Sequence, residues 1–271
     1  MADPIPAAAP APLDRIAGYF TQVLAVADTE VHKLRHDPSE LLTRALQPAI
    51  WLVLFGQVMA QVRGLGPQNG RYLDFLAPGI LAQSVLFSAI FYGIAAIWER
   101  DLGVLHRYMA SPAPRTALVL GKAVSSGVRG LSQAVIVYLL AIALGIRISF
   151  SPADILGAAA MIVVGSALFS TFSLIIACIV KTRDRFMGIG QVLTMPIFFA
   201  SNAIYPIDLM PGWLKAISSA NPLTYEVDAL RALMLTGSTS AYGLFTDFAI
   251  LAAFAGAFTI IAARMYPRLT T

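Results

Sequence analysis

Six stretches without one charged side chain dominate this sequence and leave little room for a soluble fold. Ala45–Val62 runs for 18 residues, Phe75–Trp98 for 24, Ile155–Val180 for 26 and Phe186–Ile207 for 22. Gly130–Ile146 adds 17 and Phe248–Ala263 adds 16. A helix needs about 20 mainly apolar residues to cross a bilayer. The two shorter runs reach that length when a flanking Arg or Lys extends its head group to the interface. Only 13% of the 271 residues are charged, about half the ~25% of a soluble domain. A soluble extracellular domain, a nucleic-acid binder and a disordered chain are thereby excluded, and the net charge of +4 is no sign of nucleic acid as a partner. The expectation is an all-α polytopic membrane protein with six transmembrane helices, at about 45–62, 75–98, 118–146, 155–180, 186–205 and 246–264 within a transmembrane domain covering 41–271.

Two segments precede it. Residues 1–12, MADPIPAAAPAP, contain four prolines and no basic residue, so they read as a disordered leader rather than a signal peptide. Over 13–40, Leu13, Ile16, Ala17, Phe20, Val23, Leu24, Ala27, Val31 and Leu34 recur at helical spacing. That pattern predicts an amphipathic helix lying in the membrane interface. His32, His36 and Glu40 share a metal-like spacing there. The reading taken is a polar helix face, because no cysteine or second carboxylate pair completes a site. The single cysteine, Cys178, lies within an apolar run and forms no intrachain disulfide.

The basic residues orient the spans. With both termini inside, Arg15, Lys33, Arg35, Arg44, Arg100, Arg107, Arg115, Lys181, Arg183, Arg185, Arg264 and Arg268 face one side. Arg63, Arg71, Arg147, Lys215 and Arg231 face the other. Cytoplasmic loops carry the Lys/Arg excess, so both ends are expected in the cytoplasm.

Two connections are long. Inside, over 99–116, Glu99, Arg100 and Asp101 cluster at the membrane exit, Leu102, Leu105 and Met109 follow at helical spacing, and Pro112 and Pro114 stop the helix. A short projecting amphipathic helix suits a groove on a soluble partner; a plain polar loop fits the residues equally. Outside, residues 206–237 are too short and too broken by proline for two spans, yet too apolar for a solvated loop. Two short helices re-entering the outer leaflet fit, if protein contacts satisfy their exposed backbone. Asp228 and Arg231, three apart, are placed to pair. Acidic groups at membrane depth mark transport paths; a structural clasp is the other reading, and the one preferred.

The chain shows no catalytic or metal constellation. Gly121-Lys122 ends like a phosphate-binding loop, but Thr116 and Ala123 stand where Gly and Ser/Thr are needed. A lipid-modifying membrane enzyme would need a nucleophile or metal cluster that is not evident. A gradient-driven carrier or channel, the alternative function, is disfavoured because the uncharged runs hold Gln57, Gln83, Gln133, Ser166, Ser170, Gln191 and Asn202 but no carboxylate. Energy is therefore expected from another chain. Phe87, Phe91, Phe198 and Phe199 would suit an amphipathic cargo, and equally a lipid-facing surface.

Three ordered motifs carry a resemblance: FLAPGILAQS at Phe75–Ser84, ERDLGVLHRYMASPAPRTALVLGK at Glu99–Lys122, and NPLTYEVDALR at Asn221–Arg231. Together they resemble the type-2 ATP-binding-cassette exporter permeases, which include daunorubicin-type drug, nodulation-factor and surface-polysaccharide exporters. The resemblance spans the chain from the amphipathic helix to the last run. It implies a permease that is not itself an enzyme, exporting a drug-like, lipid-like or glycoconjugate substrate from the inner membrane of a bacterium. ATP and Mg would reside on a separate nucleotide-binding subunit. Glu99, Arg100, Asp101, Leu102, Leu105 and Met109 would lie in the segment coupled to that subunit. Asn221, Pro222, Tyr225, Glu226, Asp228 and Arg231 would belong to the external re-entrant motif. A second permease copy, identical or paralogous, would complete the pathway within the lipid bilayer.

Overall fold

The computed structural model describes residues 28, 46–62, 71–103, 115–180 and 182–266. The leader, the interfacial helix with its histidines, and most of the 99–116 segment, including Leu105 and Met109, lie outside the described residues. Eight helices are described: α1 (Leu46–Met59), α2 (Tyr72–Asp101), α3 (Arg115–Ala143), α4 (Pro152–Ile179), α5 (Arg183–Phe199), α6 (Gly212–Ala220), α7 (Pro222–Met234) and α8 (Leu244–Met265). The extended pairing among the described residues is one antiparallel bridge, Ile148 to Leu235.

Among the described residues four helices are long and apolar enough to cross a membrane: α2, α4, α8 and the Leu118–Ala143 part of α3. α1 is shorter and contains a π-helical stretch, Ile50–Phe55. α5 has 17 residues and stops at Phe199 rather than near 205. Pro196 lies in its last turn, and the chain beyond it forms turns through Ser201 and Asn202. At about 1.5 Å per residue, α5 is ~25 Å long, short of the ~30 Å hydrocarbon core.

α4 is the hub, packed against α2, α3, α7 and α8. Its buried face is rich in small residues, among them Ala158, Gly165, Ser166, Ser170, Thr171 and Ser173. Lipid tails are as apolar as leucine, so helices in a bilayer associate through close packing and interhelical hydrogen bonds rather than through the hydrophobic effect. Ser173 does both: its hydroxyl donates across to the Ile90 carbonyl of α2. Around this hub, Leu76, Ile80, Leu86, Phe169, Phe198 and Leu230 are fully or almost fully buried and knit α2, α4, α5 and α7 into one apolar core. Phe198 is thus a core residue, whereas Phe199 beside it is 44% exposed.

Candidate functional site

Two clusters carry the polar chemistry, one at each end of the bundle. The first is built on NPLTYEVDALR. Asn221 precedes α7 in an extended conformation, and its side-chain oxygen accepts the Leu223 N–H, capping the helix, with Pro222 at the first helical position. The amide nitrogen of Asn221 donates to the Ile197 carbonyl at 2.7 Å and the Ala200 carbonyl at 3.2 Å. Those carbonyls belong to the last turn of α5, where no further helical N–H groups follow.

Neighbouring residues repeat the theme. Tyr225 donates its hydroxyl to the Ser219 carbonyl of α6 at 2.7 Å. Arg231 donates to the Asn202 carbonyl at 2.9 Å, while its guanidinium lies 4.0 Å from the Phe75 ring centre. From α2, Tyr72 donates to the Ile204 carbonyl at 2.9 Å. The backbone at Ala203 presses so close to α2 that a Cβ on Gly79 would sit 2.2 Å from the Ala203 oxygen. Only glycine admits this approach. The unwound stretch after α5 therefore has its carbonyls served by side chains from α2 and α7, the condition for irregular backbone at membrane depth.

Among the described residues no hydrogen bond or ion pair joins Asp228 to Arg231, although their charges still attract. Asp228 accepts hydrogen bonds from the Ser240 hydroxyl at 2.9 Å and the backbone N–H groups of Ala241 at 2.8 Å and Tyr242 at 3.1 Å. Arg231 turns the other way, to carbonyls. Asp228 is thus held by the 240–242 loop and Arg231 by the Phe75 and Asn202 carbonyls, on different sides of α7 from one another's partners. Ser240 also lies 2.7 Å from Asp247, a residue the sequence did not single out. A serine hydroxyl has one hydrogen, so Ser240 lies between the two carboxylates and shares it.

Glu226 is the outlier. It is fully buried, and neither carboxyl oxygen has a hydrogen-bond partner among the described residues. It packs against Gly165 of α4 so tightly that a Cβ there would lie 2.3 Å from Oε1. Burial pushes the Glu226 carboxyl well above the ordinary glutamate value. α7 lies outside the four long apolar helices.

The second cluster closes the opposite end. Glu99, Arg100 and Asp101, expected in a projecting segment, are the last turn of α2, which continues three residues past the uncharged run. Helix geometry needs no break there, because each of these side chains finds a partner. Lys122 of α3 donates to Glu99 at 2.5 Å. Asp101 accepts from Arg100 at 3.0 Å on one oxygen and from Arg183 of α5 at 2.9 Å on the other. The Arg183 guanidinium also lies 4.2 Å from the Trp98 ring centre. Lys122, whose neighbour Gly121 hinted at a phosphate loop, is thus inside a helix and paired. Leu102 follows, 71% exposed.

Comparison with known proteins now becomes decisive: residues 21–235 match the family model described as ABC-2 type transporter. The chain belongs to the ABC-2 type transporter family. Among curated relatives, this ABC-2 chain is 29% identical over 220 residues to the ycf38 transport permease of Cyanophora paradoxa, covering 79% of the chain and 75% of the relative. It is 25% identical over 200 residues to the daunorubicin resistance ABC transporter permease protein DrrB1 of Streptomyces coeruleorubidus, covering 74% and 70%. The Inner membrane transport permease YadH of Escherichia coli is 22% identical over 251 residues, covering 90% and 93%. This ABC-2 chain is accordingly a membrane transport permease.

Proposed function

We propose that the chain is the membrane subunit of an ATP-driven exporter in a bacterial inner membrane, with both termini cytoplasmic. Four long helices and the shorter α1 and α5 make six crossings. α6 and α7 re-enter from outside and cap the path. A separate nucleotide-binding ATPase docks on the segment that follows α2, and ATP and Mg belong to that subunit. The cargo class is amphipathic: drug-like, lipid-like or glycoconjugate.

One observation carries the reading: Glu99–Lys122 and Asp101–Arg183 tie the ends of α2, α3 and α5 together immediately before Leu102. A displacement delivered at Leu102 and the residues after it is thereby transmitted to three helices at once. Nucleotide shifts such a two-state element only by gripping one state more tightly, and the charged clasp supplies the rigid connection. Two copies meet through a face shared by α1 and α5, which Trp51 and Phe198 join edge to face at 5.7 Å. Leu54, Val58, Val192 and Phe199 expose apolar surface there.

The test is purification of the chain from its native membrane followed by transport in sealed vesicles. A co-purifying soluble ATPase and strictly nucleotide-dependent export are expected. Asp101→Arg is expected to leave ATP hydrolysis by the complex running while export fails. Transport by the lone chain, driven by an ion gradient without nucleotide, would overturn the proposal in favour of a carrier.

A further inference from the structure

A groove of about 320 Å3 runs between α3 and α4, on a face to which neither α1 nor α5 contributes. Val135, Leu139 and Ile142 form one wall, and Phe150, Ile155 and Ile162 the other. Val135, Leu139 and Phe150 are 60–65% exposed, so the groove opens sideways into lipid rather than into the protein. On α3 it extends from Leu131 to Ile142, which at ~1.5 Å per residue is ~16 Å. Half of a ~30 Å hydrocarbon core is ~15 Å. The groove is therefore one leaflet deep.

Its mouth carries two arginines beside one carboxylate, Asp154, which precedes the lining residue Ile155. Beyond Ile142 the chain turns into the bridge that pairs Ile148 with Leu235. Ile146 and Ile148 are buried, so Arg147 between them is turned outward and is exposed. Its guanidinium makes no hydrogen bond or ion pair among the described residues. Arg71, at the start of α2, reaches the same turn, donating to the Gly145 carbonyl at 3.1 Å and the Leu144 carbonyl at 3.4 Å. These two bonds leave three of the five N–H donors that a guanidinium carries. Among the nearby carboxylates, Asp154 is engaged by the Ser149 hydroxyl at 2.6 Å, and Asp74 is half-buried in the first turn of α2.

We propose that this groove holds one acyl chain of an anionic phospholipid whose headgroup phosphate is bound by Arg71 and Arg147. An apolar wall alone does not distinguish one lipid tail from the surrounding tails. The selectivity comes from the guanidinium forks, whose planar donors match phosphate oxygens, while the groove fixes where the chain beneath them runs. The assignment does not depend on which leaflet faces the cytoplasm.

The experiment uses the full chain, purified in detergent and incubated with phosphatidylglycerol carrying a photoactivatable diazirine on one acyl chain. Phosphatidylcholine with the same tail serves as comparison. Labelling is expected on peptides covering 131–162, with phosphatidylglycerol preferred. Arg147→Ala, which disturbs no described protein contact, is expected to raise the half-saturating lipid concentration roughly tenfold, the size of one lost charge-assisted phosphate contact. Ala159→Phe, which fills the groove, is expected to move labelling off these peptides while the elution volume on size exclusion stays unchanged. Equal labelling by the two lipids, or an unchanged concentration dependence in Arg147→Ala, would overturn the proposal. Disulfide-linked dimers formed by Val135→Cys in native membranes would overturn it as well, because a second copy would then occupy the groove.

Discussion

Glu226 of α7 packs directly against Gly165 of the hub helix, and both partners are unusual for their place. A buried carboxylate without partners is costly, whereas the neutral acid is tolerated. The sign of the resulting pH dependence follows. Below the ordinary glutamate value of 4.5 the carboxyl is protonated whether the chain is folded or not. Above it the unfolded chain loses this proton and the folded chain retains it, so stability falls as pH rises. Glu226→Gln keeps the shape and removes the titration. Its thermal midpoint in detergent is therefore expected to match wild type near pH 4 and to exceed it increasingly toward neutral pH. A constant difference across that window would show that Glu226 is ionised and paired. Gly165→Ala puts a methyl group into the carboxyl, and overpacking of this kind costs about 1–3 kcal/mol. A lowered thermal midpoint is expected, with partial recovery in the Gly165→Ala, Glu226→Ala double variant, which removes the colliding group.

At the level of elements, α5 is too short and α7 too polar to be understood separately, and each completes the other. Asn221 holds the last carbonyls of α5 while capping α7, so Asn221→Ala orphans two carbonyl acceptors at α5 and the Leu223 N–H donor at α7. At about 1–3 kcal/mol per unsatisfied buried group, this variant is expected to lose expression level and thermal stability together, while Asn221→Asp, which keeps the cap but not the amide donors, is expected to lose less. At the opposite end, Asp101→Arg and Arg183→Asp each bring like charges together at the ends of α2 and α5. The double swap restores opposite charges. Export that fails in both single variants and returns in the double would establish that the clasp, rather than Asp101 itself, transmits the movement.

Much of this was readable from the residues alone. Charge-free runs locate α2, α4 and α8 because solvation of charge in hydrocarbon is so unfavourable that its absence marks a span. The pattern of Pro206, Pro211 and Pro222 among apolar residues marks two short helices at the right place, since proline is favoured in turns and at helix starts, where its missing N–H costs nothing. What could not be read were partners brought together by the fold. The spacing of Asp228 and Arg231 suggests a local pair, but Ser240, Asn202 and Phe75 are distant in sequence and take over. Asp247 was passed over because it borders an apolar run, and the burial of Glu226 was unreadable because nothing along the chain reveals that Gly165 will lie against it. The charged triplet Glu99–Asp101 looked like the start of a segment beyond the span, helical or looped, for its neutralising residues Lys122 and Arg183 lie on other helices.

For the whole molecule, the distribution of exposed apolar side chains separates two kinds of surface. Around α3 and α4 it forms a groove beneath two arginines, a shape suited to lipid. On α1, Leu46, Ile50, Leu54 and Val58 recur every four residues and stay exposed, although their helix touches the core through Leu52. Met187, Val192, Met195 and Phe199 also stay exposed on α5, at intervals of five, three and four residues. A four-residue repeat is a ridge that fits the groove of a second helix, and a bundle whose hub is already enclosed has no internal use for it. The expected outcome is that Leu54→Cys or Val192→Cys gives oxidant-induced dimers in native membranes. Cys178, the sole natural cysteine, is buried, so the wild type is expected to remain monomeric on a non-reducing gel. If the cargo path runs between the copies, dimers linked at either position would retain ATP hydrolysis by the complex and lose export, and reductant would restore it. Linked dimers that export at the wild-type rate would instead place the path within one chain, beside the apolar core around Phe169 and Phe198.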